Sequence, residues 1–407
     1  MAIWWSIATP EARAAEPQAL SLSLDQALLR ALSASPEVTR ARFAVREADA
    51  HRVGAGFVVP QNPRLAVDAR PLLSGGSGKM GYGVTLDVLF DVGGAPRARV
   101  REAQRLSALA QAELSISRGS ARVRALTSYV RSQIAQLRIG EADAALIVAR
   151  RVLDATGRRV TAGAGSELDS SSAQLEVAEL EAARLAFERD HATSLMDLRD
   201  ALDLDARVTL TLTSTVVEPP AVTELSGLLE RALSAHPELM ALKARVALLD
   251  ATEERLNAEV FPHLGFYAGL DAAPLSPTYG VLGLSVELPV AQRNQGLRAV
   301  AARAKDSAQV ELTLQARLLM RDVRSALDSY ESSRRELERL SLQAIPAAER
   351  TLSLVEAGFQ AGRFDVFRWL AAARDSLRVR ASRIDAIEAT WLARIELERA
   401  VGGEVKS

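Results

Sequence analysis

The chain is written twice. Its first half runs from Leu24 to Leu204 and its second from Leu225 to Val401, with matching landmarks about 200 residues apart. Ala31-Leu32-Ser33-Ala34-Ser35-Pro36-Glu37 returns as Ala232-Leu233-Ser234-Ala235-His236-Pro237-Glu238. Tyr82-Gly83-Val84 returns as Tyr279-Gly280-Val281, and Ala164-Gly165 as Ala361-Gly362. Two copies of one segment must each build the same unit, so the repeat constrains the architecture before any site is considered. Each copy reads as a helix, two short alternating strands around a Gly/Pro-rich turn, one very long helix, a glycine break and a returning helix.

The long helix is the most unusual part. From Pro96 to Gly157 the chain has no further proline and only Gly119 and Gly140 as interior glycines. At about 1.5 Å per residue that stretch is a rod of roughly 93 Å, where an ordinary globular helix has about a dozen residues. Its counterpart from Gly296 to Gly358 carries one proline, Pro346, where a kink is expected. Rods of this length need lateral partners to bury an apolar stripe. The leading helix (about Asp25 to Phe57, with Pro36 as a candidate break) and the returning helix (about Ser166 to Leu204) together approach the length of the rod. They are expected to stack end to end beside it.

Before each rod comes a dyad. Leu65, Val67 and Ala69 face one way and Ala66, Asp68 and Arg70 the other; Val84, Leu86, Val88 and Phe90 oppose Thr85, Asp87 and Leu89. The second copy opposes Leu264, Phe266, Ala268 and Leu270 to Gly265, Tyr267, Gly269 and Asp271, then Leu282, Leu284, Val286 and Leu288 to Val281, Gly283, Ser285 and Glu287. Strands of about ten residues with this alternation have the length of tilted membrane strands, although a half-buried soluble hairpin gives the same pattern. The expected organisation is an N-terminal segment, 1–20, followed by two repeats. The first, 21–215, has its hairpin at 63–91, its long helix at 96–157 and its return helix at 166–204. The second, 216–407, has a helix at 225–258, a hairpin at 263–290, a long helix at 296–358 and a return helix at 363–401.

Composition narrows the class. Hydrophobic residues make up 48% but aromatic ones only 4%, as in long helices packed through small side chains. The formal net charge of −1 leaves no nucleic-acid footprint. With no cysteine, disulfides, thiolate metal sites and cysteine nucleophiles are excluded. No apolar run reaches the length of a transmembrane helix. Ile3-Trp4-Trp5-Ser6-Ile7-Ala8 followed by Ala12-Arg13-Ala14 reads as a signal peptide that lacks its basic start, or else as a soluble N-terminus.

The tandem plan, the Leu-Ser-Ala-x-Pro-Glu opening of each half, and the tips Ala164-Gly165-Ser166-Glu167-Leu168-Asp169 and Ala361-Gly362-Arg363-Phe364-Asp365 resemble the TolC family of outer-membrane factors. Leu288-Pro289-Val290 followed by Arg293-Asn294-Gln295-Gly296 is similar to the heavy-metal-efflux, CzcC-like branch in particular. The resemblance spans about Ser21 to Gly402. It implies a mainly α fold with a small transmembrane β-barrel contribution: a tandem-repeat α-barrel plus four strands per chain. Three chains would then close a twelve-stranded barrel. An unclosed edge in lipid would leave backbone groups unpaired at several kcal/mol each, which agrees with closure.

The same resemblance implies the role: a passive outer-membrane exit duct, reaching into the periplasm. It would take metal cations or drugs from an inner-membrane pump through a periplasmic adaptor and gate by untwisting of its tips. A type I protein-secretion duct has the same architecture, and a soluble coiled-coil scaffold would share the helices. Adaptor contact is expected at Arg158, Arg159, Gly163, Gly165, Gly358, Gly362, Arg363 and Phe364. The acidic pair that rings the pore of the best-known member falls here on Arg368 and Ala371, so that double ring is absent. Asp365 and Arg368 remain the candidates for a constriction. Asp68, Arg70, Asp87, Asp271 and Glu287 are expected to face a water-filled lumen, because a charge on the lipid face is costly.

Other chemistry is thin. The four histidines, His51, His191, His236 and His263, form no ligand-spaced cluster, so neither a metal site nor a cofactor is expected. Ser74–Lys79 misses the phosphate-loop pattern at both ends, with Leu73 and Met80 at the positions that need Gly and Ser/Thr. No enzyme is expected.

Overall fold

The computed structural model describes residues 19–71, 80–163, 165–215, 219, 225–272 and 277–405. The expected leader segment up to residue 18, the Ser74–Lys79 turn, Ala164 and most of the Pro274–Pro277 turn lie outside the described residues. The chain opens with β1 (Ala19–Leu22), α1 (Leu24–Ala34) and α2 (Pro36–Ala50). Next come β2 (Arg64–Pro71), β3 (Met80–Asp91), α3 (Ala95–Thr161), α4 (Glu167–Ala201) and β4 (Thr209–Leu212). The second half supplies α5 (Leu225–Ala235), α6 (Pro237–Ala258), β5 (His263–Ala272), β6 (Thr278–Val286) and α7 (Gln295–Arg339). A π-turn over Leu340–Ala344 leads into α8 (Ile345–Gln360), and α9 (Val366–Val401) closes the order.

Local chemistry explains the boundaries. Ser23 starts α1 with a capping box: its Oγ accepts from the Gln26 N–H, and the Gln26 side chain accepts from the Ser23 N–H. The break expected at Pro36 is present, and the leading helix ends at Ala50 and not at Phe57. Ser35 sits at ψ 146°, as the residue before a proline should, so α1 ends there and Pro36 opens α2. In the second half His236 replaces that serine and caps α6 through Nδ1, which accepts from the Glu238 N–H. At Pro346 the expected kink takes the form of the preceding π-turn. The ring removes a donor and crowds the carbonyl four residues back, and a wider turn relieves both.

The chain divides into two compact units that cut across the two repeats. One comprises residues up to Thr39, Arg118–Leu229 and Asp322–Ser407, and its described regular elements are helices apart from β1 and β4. Its core gathers Ala27, Leu28, Tyr129, Leu198, Leu202 and Ile387 among others. The Arg30 Nε donates to the Leu202 carbonyl at 3.2 Å, so α1 meets the C-terminal end of α4. Many of its buried side chains are alanines, for example Ala121, Ala125, Ala145 and Ala386, which let helices approach closely. Ion pairs tie helix to helix: Arg138 reaches Asp385 at 2.7 Å and Glu388 at 2.8 Å. Burial works against the Arg138 charge, but the two carboxylates outweigh it and hold the guanidinium above its ordinary value.

Two strands were not expected. β1 and β4 pair in parallel, Ala19 with Thr209 through Leu22 with Leu212. The described residues therefore hold six strands, and four of them make the larger sheet. The buried Tyr129 hydroxyl stitches this pair to the core, donating toward the Leu22 and Ser214 carbonyls and accepting from the Ser214 N–H.

The other unit comprises Arg40–Ser117 and Glu230–Arg321 and contains the four-stranded antiparallel sheet, in the order β2-β3-β5-β6. Around it, α3 and α6 are bound by Glu102, which accepts from Arg255 at 2.6 Å and from Thr252 at 2.8 Å. Among the described residues no helix is long and apolar enough to cross a membrane.

Candidate functional site

The sheet separates two chemistries. Its register pairs Leu65 with Leu86, Val67 with Val84, Val84 with Leu270, Phe266 with Leu284 and Leu264 with Val286. Because side chains alternate along each strand, these residues all share one face. That face is not covered: Leu65 is 65% exposed, Val67 70%, Leu284 68% and Val286 50%. An exposed apolar patch of this extent marks an interaction surface, not a solvated one.

The opposite face is polar. Asp68, Arg70, Asp87 and Asp271 lie on it, and Glu287 continues it just past β6, its N–H directed at the His263 carbonyl. Arg70 bridges two strands, contacting Asp68 at 2.5 Å and Asp271 at 2.7 Å. At the base of the sheet the Asp91 side chain, 1% exposed, meets Arg99 at 2.7 Å and His263 Nδ1 at 2.6 Å. Arg99 also donates to the Ala55 and Phe57 carbonyls, so one buried carboxylate gathers β3, β5, α3 and the loop after α2. The sheet's outer strands, β2 and β6, each pair on one side only among the described residues.

The helical unit ends in two reversals. At the first, α3 stops at Thr161, Gly163 turns at φ +72°, and Ser166 caps α4, accepting from the Leu168 N–H. At the second, α8 stops at Gln360, Gly362 turns at φ +71°, and Asp365 caps α9, accepting from the Arg368 N–H at 2.8 Å. Positive φ is where glycine costs nothing and a Cβ-bearing residue is strained. These angles correct the expected alignment: the partner of Gly362 is Gly163, not Gly165. Gly165 instead packs against the α3 backbone, where a Cβ would stand 2.9 Å from the Val160 nitrogen.

Around the second reversal, Phe364 folds over Gly358, whose added Cβ would meet the ring at 2.3 Å. Arg363 and Phe364 both donate backbone N–H groups to the Gly358 carbonyl. Arg368 lies over the Phe364 ring at 4.8 Å, and Arg159 over Phe359 at 5.2 Å. Arg158 is exposed in the last turn of α3, where a cation complements the helix dipole.

This pairing of a two-faced sheet with a duplicated helical body coincides with a family model. The model of the outer membrane efflux protein family matches residues 27–203 and again 228–403. The chain belongs to that family. It is the outer-membrane channel of a tripartite efflux system, and both family and fold are those of channel proteins, not enzymes. Family membership implies interaction with an adaptor and an inner-membrane pump.

Known proteins agree. The channel is 28% identical to the cobalt-zinc-cadmium resistance protein CzcC of Cupriavidus metallidurans over 78% of this chain and 76% of that one. Its fold matches CusC with a TM-score of 0.77 at 18% identity, covering 94% of this chain and 92% of that one. It matches the Campylobacter jejuni outer-membrane channel CmeC with a TM-score of 0.79 at 13% identity, covering 94% and 86%.

The structure brings the expected residues into three groups. Asp68, Arg70 and Asp271 form one ion cluster, with Asp87 and Glu287 farther along the same face. Arg158, Arg159, Gly163 and Gly165 belong to the first reversal, and Gly358, Gly362, Arg363, Phe364, Asp365 and Arg368 to the second. Sequence reasoning missed two features. Phe359 and Trp369 are buried with ring centroids 4.8 Å apart and anchor the second reversal in a cluster with Val152 and Ala173. Arg374 of α9 pairs with the buried Glu176 of α4, tying the two returning helices. A single tryptophan four residues after the cap of α9 was the available signal. Among the described residues no group of three or more His, Cys, Asp or Glu side chains gathers as a metal site.

Proposed function

We propose that three copies of this channel close one twelve-stranded barrel in the outer membrane and pass metal cations outward. The observation that carries the reading is the sheet itself: among the described residues, four strands, an exposed apolar face and two outer strands paired on one side only. Unpaired strand edges in hydrocarbon cost several kcal/mol per group, and joining β6 of one copy to β2 of the next removes them all. Similarity to a cobalt-zinc-cadmium resistance protein supports metal cations as cargo.

In this reading the polar face with Asp68, Arg70, Asp87, Asp271 and Glu287 lines the lumen. The reversals at Arg158, Arg159, Gly163 and Gly165 and at Gly358, Gly362, Arg363 and Phe364 receive the adaptor. Asp365 and Arg368 mark the narrow end. With Asp365 engaged as a helix cap and Arg368 stacked on Phe364, opening there requires those local contacts to rearrange. The chain supplies the path and no energy, which enters from the pump.

Membrane fractionation followed by mass measurement in detergent tests the assembly. The expected result is a detergent-requiring particle of three 43.7 kDa chains that dissociates on heating. A detergent-free monomer or dimer contradicts it.

A further inference from the structure

We infer that the polar face of the sheet makes the channel prefer cations, and that Arg70 limits the strength of that preference. The inference rests on the trimeric barrel proposed above and names the selectivity element within it.

Four exposed or half-buried carboxylates occupy the polar face among its described residues: Asp68, Asp87, Asp271 and Glu287. Two guanidinium groups share it, Arg64 and Arg70, leaving two negative charges in excess per chain among the described residues. Asp91 does not contribute to the excess, since its buried carboxylate is matched by Arg99. Threefold repetition turns each residue into a ring, and charged rings bounded by low-dielectric walls concentrate counter-ions.

Arg70 stands at the centre of this arrangement. It holds Asp68 at 2.5 Å and Asp271 at 2.7 Å, so a single cation offsets part of two carboxylates. The triad lies flat because β3 offers Gly83 beneath it. A Cβ there would come within 2.5 Å of Asp68 Oδ1 and 2.9 Å of an Arg70 guanidinium nitrogen. The three side chains stay 43%, 59% and 33% exposed for Asp68, Arg70 and Asp271, so their charge reaches water. Arg70 is a positioning residue as well as a counter-charge: it joins β2 to β5 across β3.

Single-channel recording in planar lipid bilayers under a KCl gradient tests this through the potassium-to-chloride permeability ratio. Wild-type protein is expected to give a ratio above one that falls toward one in concentrated salt, because the screening length shrinks from about 10 Å at 0.1 M to about 3 Å at 1 M. The double variant D68N/D271N should lower the ratio by about twofold and R70Q should raise it by a similar factor. D87N, outside the triad, should lower it less and serves should the double variant fail to fold. A wild-type ratio at or below one, a D68N/D271N or D87N ratio equal to wild type, or a fall with R70Q overturns the inference alone. Absence of any conductance both in wild-type protein and in a D365A/R368A variant that releases the contacts at the narrow end overturns the barrel reading and this inference with it.

Discussion

The two reversals of the helical unit share a backbone and differ in what holds them. Each has a glycine near φ +70° three residues before a side-chain cap, Gly163 before Ser166 and Gly362 before Asp365. The second adds an anchor: Phe359, Val366, Trp369 and Leu370 are buried together, and Phe364 closes over Gly358. Among the described residues the first contributes only Val152 and Ala173 to that cluster, from the helices behind its turn, and Leu168 stands 63% exposed. Duplication has therefore preserved the turn, which backbone sterics demand, while packing has diverged. The first reversal is held by caps and the second by caps plus a hydrophobic lock, so the first should loosen more easily.

Removing the lock should have the largest effect. Trp369→Ala leaves a cavity at a residue that is 4% exposed and should cost about 3–5 kcal/mol. Leu168→Ala at the first reversal should fall within about 0.5 kcal/mol. Thermal unfolding in detergent, followed by helical circular dichroism, checks both, and equal losses would erase the asymmetry. The shared backbone makes the next prediction symmetrical. Gly163→Val and Gly362→Val each force a branched side chain into positive φ and should lose about 1–2 kcal/mol apiece. A large difference between them would mean the turns are not equivalent.

Caps come next in size. Ser166→Ala and Asp365→Ala should each cost about 1 kcal/mol. Hydrogen exchange at the first turn of α4 should rise more than at α9, because only α9 keeps its aromatic anchor.

A second matched pair gives the smallest effect. Tyr129 and Tyr330 occupy equivalent places in α3 and α7, and both are 1% exposed. Tyr330 donates to the Pro219 carbonyl and lies under Arg394. Burial pushes its hydroxyl above the usual range, against the opposing pull of the Arg394 charge. The fold thus disfavours the ionised form. Its penalty is absent below the unfolded value near pH 10 and grows as pH rises past it. Tyr330→Phe should flatten that alkaline loss of stability in melting curves taken across pH 9 to 11, whereas an unchanged slope would remove Tyr330 as its source.

How much of this could be read in advance follows the physics of each element. The long helices were legible because stretches of some 60 residues with at most one interior proline and few glycines allow little else. The sheet faces were legible because Leu65 and Val67 alternate with Asp68 and Arg70. The pair β1 and β4 was not, since four residues such as Ala19–Leu22 carry too little alternation and their partner lies some 190 residues away. The break at Ser35 was legible, because a residue before proline is pushed out of the helical region. The alignment of the reversals slipped by two residues because Ala162-Gly163 and Ala164-Gly165 are adjacent copies of one dipeptide, and only φ separates them. Glu176 and Arg374 lie 198 residues apart, so only packing brings the pair together.

The central claim is that one face of the sheet meets lipid while the other lines water. The chain has no cysteine, so single cysteines can be placed without background. Leu284 and Ser285 are neighbours in β6 and point to opposite faces. In liposomes, Ser285→Cys should react with a water-soluble, membrane-impermeant maleimide and Leu284→Cys should not. Equal labelling of the two, or labelling of Leu284→Cys alone, would contradict the account.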